Sequence, residues 1–255
     1  MSRSLRGQHG DPYSGFADWY DLFFGEFAQH ETGELDFWSW LLHGLEVPRV
    51  LDCACGTGRH AHLMHELGYW VCVSDSSAAM LTRASVNLTA CGVQRPLIQA
   101  DFRELPYADE TFGVVLCLTT SLPHLTDERE VVSALRSMWR GLRLGGILVL
   151  SQGLTDKLLS EQPRFILEIN TRDLSRVFVV DYLDGRVRIN VIDLVHEAER
   201  REFMVDSFEY LKLLPGQYKR LLGEARLSLA SMYAGFSQQP YDPETSDQVV
   251  IVARK

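Results

Sequence analysis

The sequence lacks the features that mark membrane, secreted and nucleic-acid-binding proteins. No segment of its 255 residues approaches the ~18 consecutive apolar residues that cross a bilayer. Met1 to Gly10 lack the apolar run that follows the basic residues of a secretory signal. Lys and Arg total 25 against 34 Asp and Glu, a net charge of −9, and no basic cluster is present. We therefore expect a soluble, cytoplasmic protein that binds neither membrane nor nucleic acid.

Disulfide and metal frameworks are also missing from the pattern. Five cysteines are an odd number, and three of them lie in apolar runs, so we predict buried, reduced thiols. Cys53-Ala-Cys55 is too tight for the usual metal-binding pair. His60, His62 and His65 fall on one predicted helix at spacings of two and five, which do not project together as i, i+4 ligands do. No metal site is predicted.

What the sequence does contain is the alternation of an α/β domain. Short apolar runs alternate with amphipathic stretches of helix length after Pro48, the pattern of βαβ units on a parallel sheet. The predicted strands are Arg49 to Cys53, Trp70 to Ser74, Pro96 to Ala100, Phe112 to Leu118 and Ile147 to Ser151, and the predicted helices are Gly58 to Leu67, Ser77 to Leu88 and Glu128 to Leu142. Leu227 to Tyr233 and Gln248 to Ala253 are joined without a crossover helix. We therefore predict a Rossmann-like, doubly wound, seven-stranded sheet whose last strand is antiparallel.

The flanks of this core have a different character. Tyr13 to Leu45 carry aromatics at helical spacing, which predicts two amphipathic helices separated near Gly33 and acting as a cap. From Arg164 to Leu214 the pattern is β-rich, with Asp184-Gly185 as a hairpin turn, and predicts an antiparallel insertion. The predicted organisation is one domain, 1–255, with a helical cap (13–45), a core (49–151), the insertion (164–214) and a C-terminal helix and strands (215–255).

One glycine-rich turn points to a ligand. Val50-Leu51-Asp52-Cys53-Ala54-Cys55-Gly56-Thr57-Gly58-Arg59 places glycines between a strand and a helix, where backbone approaches a ligand closely. Ala61 stands where dinucleotide enzymes have a third glycine. Asp75 ends the second strand, where a carboxylate accepts from ribose hydroxyls, and Asp101-Phe102 follow the third, where they meet an adenine. These positions predict a nucleoside-containing cofactor.

In these motifs the chain resembles the class I S-adenosylmethionine (AdoMet)-dependent methyltransferases, over roughly Tyr13 to Lys255. The resemblance implies that the glycines border the methionine moiety, that Asp75 binds ribose, and that Met80 packs on the adenine beside Asp101-Phe102. It also places Tyr20 over the AdoMet pocket. The cofactor-binding residues predicted are Tyr13, Tyr20, Asp52, Cys53, Ala54, Gly56, Gly58, Asp75, Ser76, Met80, Asp101, Phe102, Cys117 and Leu118.

A narrower resemblance, to the glycine and sarcosine N-methyltransferases, lies in Cys117-Leu118-Thr119-Thr120-Ser121-Leu122-Pro123-His124-Leu125. An asparagine common in that group aligns with Thr120. The arginine that grips a substrate carboxylate there aligns with Gly153. Glycine is therefore not the expected substrate.

The function predicted is AdoMet-dependent methylation of a small molecule. N-methylation is favoured over O-methylation, because an amine needs only to be neutral whereas a hydroxyl needs a base. His124 and Tyr20 are the candidate catalytic residues, His124 as a base or as a positioning group. No metal is required, because the sulfonium supplies the reactive methyl group. Two alternatives stay open: a non-catalytic AdoMet-binding regulator, and a nicotinamide-dependent oxidoreductase. The acceptor and the oligomeric state are not set by the sequence.

Overall fold

The computed structural model describes residues 11, 13–23, 25–45, 49–196 and 202–255, and the predictions for Met1 to Gly10 lie outside them. In chain order the strands are β1 (Val50–Asp52), β2 (Val71–Asp75), β3 (Leu97–Gln99), β4 (Phe112–Cys117), β5 (Leu142–Gln152), β6 (Phe165–Asn170), β7 (Leu174–Tyr182), β8 (Arg186–Val195), β9 (Glu202–Leu211), β10 (Ser228–Ala234) and β11 (Val249–Arg254). The α-helices are α1 (Ala17–Tyr20), α2 (Thr32–Leu42), α3 (Arg59–Glu66), α4 (Ala78–Ala90), α5 (Glu128–Gly141), α6 (Asp156–Glu161) and α7 (Tyr218–Glu224). None of the described helices is long and apolar enough to cross a membrane.

Seven strands form the central sheet, in the order β10-β11-β5-β4-β1-β2-β3. The five neighbouring strands β5, β4, β1, β2 and β3 run parallel, and β11 is antiparallel to both of its neighbours, β5 and β10. This confirms the predicted doubly wound sheet with an antiparallel last strand. β1 and β4 are buried at every position, because helices cover both faces of a parallel sheet.

Alternate strand residues feed two apolar layers. Leu51 and Val115 pack on one face with the side chains of α5 and α7. Val50 and Val114 pack on the other with α2, α3 and α4. The period of two along each strand therefore fixes which helices cover which face, and the carboxyl ends of the parallel strands meet at one edge.

The N-terminal segment, by which we mean the described residues up to Leu45, has a different arrangement of helices from the one predicted. The break near Gly33 is wrong, because Gly33 lies in the first turn of α2. The chain turns earlier, at Gly25, whose φ of +71° is in the left-handed region that glycine adopts without strain. α1 is a single turn that continues into a 3-10 turn, Asp21–Phe23. α2 packs its buried Phe37 and Trp38 against the central sheet.

The insertion is a separate antiparallel sheet in the order β6-β7-β8-β9, as predicted. Asp184-Gly185 makes the turn between β7 and β8, with Gly185 at φ +67°. One face of this sheet, through Phe178, Ile189 and Phe208, packs against the aromatic side chains of the N-terminal segment. The insertion and the N-terminal segment thus close over the carboxyl edge of the central sheet.

Candidate active site

The glycine-rich turn follows β1 at this edge. Gly56 and Gly58 have φ of +53° and +92°. A Cβ on Gly58 would lie 3.2 Å from Cγ of Leu88, so this glycine lets α3 begin in close contact with α4. A Cβ on Gly56 would lie 3.6 Å from the Tyr20 ring, an ordinary contact. Gly58 therefore serves packing, while Gly56 faces the space below Tyr20.

Asp75, at the end of β2, is held by backbone donors. The Gly56 N–H donates to its Oδ2 (2.8 Å) and the Ser77 N–H to its Oδ1 (2.9 Å). Burial raises the pKa of this carboxyl, although both N–H groups act against that change. A carboxylate offers about four acceptor positions, so about two remain for hydroxyl donors. This arrangement suits the ribose role that the resemblance implies.

Asp11 was not foreseen as part of the site. Its Oδ2 accepts from the Ser77 hydroxyl (2.6 Å) and from the Ala79 N–H (3.1 Å). Ser77 caps α4 in turn, accepting from the Met80 N–H (3.0 Å). The contact fastens the start of the N-terminal segment to the start of α4, beside Asp75.

A cleft of about 260 Å³ lies between these elements. It gathers most of the predicted site: Tyr13, Tyr20, Cys53, Ala54, Gly56, Asp75, Ser76, Met80, Asp101, Phe102 and His124. Four further lining residues were not predicted: Arg103, Thr119, Ser121 and Leu125. The predicted residues Asp52, Gly58, Cys117 and Leu118 do not line this cleft. Asp52, Cys117 and Leu118 are instead buried at the ends of β1 and β4.

Asp52 is 1% exposed, and burial raises its pKa to about 7. The nearby Asp75 charge acts in the same direction, and His60 acts against it. Among the described residues, Asp52 Oδ2 has no hydrogen-bond partner. A carboxyl with this pKa is close to half-protonated at neutral pH, which reduces the cost of burying it.

Asp101 is paired with Arg103, a residue the sequence did not single out. The guanidinium donates to Asp101 Oδ2 through Nε (2.9 Å) and Nη2 (2.5 Å), and it also pairs with Glu130. Burial raises the pKa of Asp101, but the hydrogen bonds from Arg103 outweigh it and hold the pKa below its ordinary value. The carboxylate therefore stays charged. Arg103 donates to its Oδ1 as well, through the backbone N–H (2.8 Å) and Nε (3.1 Å), so an amino group at Asp101 would share an oxygen with the guanidinium.

Tyr13 and His124 form a pair at the opposite side of the cleft. The Tyr13 hydroxyl lies 2.7 Å from His124 Nε2, and the Tyr13 ring stacks on Phe208 at 5.1 Å. Burial lowers the pKa of His124 to about 4 and raises that of Tyr13 well above its ordinary value. At neutral pH the imidazole is therefore uncharged and the phenol keeps its proton.

A second cavity, of about 630 Å³, adjoins the first. Tyr13, Tyr20 and Thr119 line both. The insertion supplies apolar wall, including Phe178 and Ile189. The charged side chains that line it are Lys157, Glu161, Glu168 and Asp247. Lys157 donates to Asp247 (2.8 Å), so the net charge of the lining is negative.

The wall shared by the cavities has an unusual backbone. Thr119 and Thr120, directly after β4, have φ of +55° and +66°. β-branched residues rarely adopt this left-handed region, and each costs about 1–3 kcal/mol. Their N–H groups donate to Ser151, to its Oγ and to its carbonyl oxygen respectively, at 2.8 Å each. β5 thus holds this turn, and Thr119 forms a side-chain hydrogen bond with Tyr20.

A buried ion pair inside the insertion positions an arginine against the N-terminal segment. Arg176 and Asp193 are 0% and 1% exposed and bond through Nε to Oδ1 (2.7 Å) and Nη2 to Oδ2 (2.9 Å). Arg176 also donates to the Trp19 carbonyl (3.1 Å) and lies over the Phe16 and Phe23 rings. The bidentate pair fixes the guanidinium against the N-terminal segment, although its Nη1 has no hydrogen-bond partner among the described residues.

Comparison with known proteins agrees with this geometry. A methyltransferase domain family model matches residues 50–146. The chain is 29% identical over 248 residues to a glycine/sarcosine N-methyltransferase of Aphanothece halophytica, covering 94% of this chain and 88% of the relative. It is 30% identical over 244 residues to the Bacillus subtilis (strain 168) protein YqeM, named as a methyltransferase, covering 92% and 93%.

Among solved structures, an S-adenosylmethionine-dependent methyltransferase from Clostridium acetobutylicum ATCC 824 superposes with a TM-score of 0.80. The match covers 95% of this chain and 98% of that one at 17% identity, so it supports the fold alone. The relatives are methyltransferases and not nicotinamide-dependent enzymes, so the oxidoreductase alternative is wrong. Fold, glycine turn and full-length relatives together show that the chain belongs to the class I AdoMet-dependent methyltransferases.

Proposed function

We propose that this methyltransferase methylates the nitrogen of an amine carried by a molecule larger than glycine. The observation that carries the proposal is the 630 Å³ cavity that shares a wall with the AdoMet cleft. Its volume lies within the ~300–1,000 Å³ typical of pockets for drug-sized ligands. No arginine is among the described residues that line it, and Lys157 is already paired with Asp247. Among these lining residues a substrate carboxylate therefore finds no unpaired cation, whereas Glu161 and Glu168 favour a basic molecule.

The cleft offers acceptors that suit AdoMet. Asp75 retains acceptor positions for two ribose hydroxyls, Gly56 lies beneath Tyr20, and charged Asp101 would accept from the adenine amino group through an oxygen that it shares with Arg103. Bound AdoMet supplies a methyl group on a positively charged sulfonium. Tyr20 lines both cavities, so its aromatic ring would be the group that stabilises that charge.

The Tyr13–His124 pair orients the acceptor in this proposal and does not remove its proton. An imidazole with a pKa of about 4 lies about six units below an ordinary amine, so proton transfer to it costs roughly 8 kcal/mol. The neutral amine is instead drawn from solution. When the Tyr13 hydroxyl donates to His124 Nε2, its oxygen remains an acceptor for an amine N–H. Fixing that N–H directs the nitrogen lone pair, which is the contribution that methyl transfer needs.

The test is methyl transfer from AdoMet to a panel of acceptors, followed by mass spectrometry of S-adenosylhomocysteine (AdoHcy). The panel contains glycine, sarcosine, benzylamine, an amino sugar, and the hydroxyl analogue of each ring compound. We expect a ring-bearing amine to exceed glycine in kcat/KM by about 100-fold or more, because glycine is too small to make the apolar contacts with the cavity lining that the ring makes. Preference for glycine or for the hydroxyl analogues would contradict the proposal. Failure of every acceptor to accept methyl would favour the non-catalytic regulator.

Gly153 offers a sharper variant. It lines the 630 Å³ cavity, and a Cβ there would meet nothing within 4 Å. Gly153→Arg should supply the missing cation and raise kcat/KM for glycine by about 10-fold or more, since a hydrogen bond to a charged group contributes ~1.5–3 kcal/mol. Gly153→Ala is the matched control and should not. An arginine variant that stays folded but gains nothing for glycine would show that the carboxylate grip is not what the cavity lacks.

A further inference from the structure

The antiparallel sheet has an outer face, directed away from the 630 Å³ cavity. Ile166, Phe178 and Ile189 line the cavity, so the residues that alternate with them lie on the opposite face. Eight apolar residues on that face, which we call the outer apolar face, are Phe165, Leu167, Val177, Val179, Ile192, Leu194, Phe203 and Val205. Phe165, Leu167 and Phe203 are 68%, 61% and 47% exposed.

The register makes this face continuous. Leu167 pairs with Val177, Val177 with Ile192, and Ile192 with Val205, so one apolar row crosses all four strands. None of these side chains joins the apolar clusters formed by the described part of the chain. Monomeric proteins seldom expose a contiguous apolar patch of more than a few hundred Å². The face therefore has the character of an interface.

Its charges favour a second copy of this chain over a charged partner. The nearest charged side chains on this face are already paired, Arg188 with Glu209 and Arg164 with Asp181. No charged residue interrupts the rows through Leu167 and Phe165, so covering them leaves no unpaired charge in a dry interface. A two-fold interface requires a patch that is complementary to a second copy of itself. An apolar sheet face whose charged residues form ion pairs of zero net charge meets this requirement.

The size is also adequate. Four strands ~4.8 Å apart, each about nine residues at ~3.4 Å, give the whole outer face of the sheet, its polar residues and paired charges included, roughly 600 Å² per copy. Two copies would bury about 1,200 Å², the lower bound for stable protein interfaces. We propose that the chain forms a two-fold dimer in which the outer apolar faces of two insertion sheets pack against each other. Each dimer contact then supports the back of the strands that wall the 630 Å³ cavity.

Sedimentation equilibrium of the full chain tests the proposal. We expect a mass twice the 29.0 kDa of one chain, with dissociation only on dilution. Leu167→Glu places one carboxylate from each copy in the two-fold interface and should raise the dimer Kd by about 100-fold or more. Leu144→Glu is the matched control, because Leu144 is 76% exposed in β5 of the other sheet. This control should dimerise as the wild type does.

Both variants change exposed side chains, so each should keep its circular dichroism spectrum. Leu144→Glu should also keep its urea unfolding midpoint, whereas Leu167→Glu should lose the stability that dimerisation adds. A wild-type chain that stays monomeric up to its solubility limit would overturn the proposal. A dimer that Leu167→Glu leaves as tight as wild type would overturn it equally, because the interface would then lie elsewhere. Weakening by Leu167→Glu and not by Leu144→Glu is the supporting result.

Discussion

Replacing Asp75 with alanine should weaken AdoMet binding and the fold by separable amounts. The carboxylate accepts the Gly56 and Ser77 N–H groups at 2.8 and 2.9 Å while retaining positions for two hydroxyls. Losing two ribose hydrogen bonds at ~1–1.5 kcal/mol each lowers the affinity by roughly 30- to 150-fold. The two backbone donors lose their partner as well, which lowers the free energy of unfolding by about 1–3 kcal/mol where water replaces the carboxylate in part.

The assay combines calorimetric titration with AdoHcy and urea unfolding of the same samples. Asp127→Ala is the control, because Asp127 caps α5 through the Glu130 N–H (2.9 Å), so its loss removes a helix cap but leaves the Asp75 carboxylate in place. Its affinity for AdoHcy should match that of the wild type. Asp75→Asn keeps one acceptor oxygen but turns an amide donor toward Gly56 or Ser77. We expect its affinity to fall between those of wild type and alanine. If Asp75→Ala bound AdoHcy as tightly as wild type, the ribose would lie elsewhere and the site would be misassigned.

Three further predictions concern the pH dependence, the acceptor side and the glycine turn. Because the pKa of Asp52 is about 7 in the folded chain against 3.8, the folded state keeps a proton that the unfolded state loses. Raising the pH between these values should therefore lower the free energy of unfolding, by up to roughly 4 kcal/mol. Urea unfolding of the wild type and of Asp52→Asn at about pH 5 and about pH 8 tests this, because the variant should lose the dependence. The same change in unfolding free energy between the two pH values in both proteins would refute it. Tyr13→Phe should lower kcat/KM for the amine about 10-fold or more and lower AdoHcy affinity by a smaller factor, and an equal loss of both would show that the Tyr13–His124 pair does not act on the acceptor. Gly58→Ala should lower the free energy of unfolding by about 2–3 kcal/mol, because φ is +92° and Leu88 lies 3.2 Å from the added carbon, and an unchanged midpoint would contradict this.

The fold was largely predictable because its signals are local. Buried parallel strands give apolar runs, amphipathic helices separate them, and Asp184-Gly185 marks a hairpin, so the order of elements follows from short windows of sequence. The break near Gly33 failed for the same reason. A glycine is tolerated in the first turn of a helix, and packing of Phe37 and Trp38 on the sheet outweighs its low propensity.

Within the candidate site, residues in a motif were predictable and residues brought in by the fold were not. Asp75 follows from its place after the glycine turn. The contact of Asp11 with Ser77 joins positions 66 apart, and no local pattern marks it. Thr119 lines the site in a left-handed backbone conformation that threonine disfavours. Its hydrogen bond to Ser151 of β5 stabilises that conformation, and residue propensity alone predicts against it.

The wall common to the two cavities has a thermodynamic consequence. Tyr13, Tyr20 and Thr119 border both the nucleoside cleft and the larger cavity, so neither ligand contacts its site without contacting the boundary of the other. If one ligand shifts that boundary and so changes the affinity for the second, the second must change the affinity for the first by the same factor. Any synergy between the two ligands would therefore be a single coupling free energy, measurable from either side, and substitutions of the shared residues are the ones that should change it.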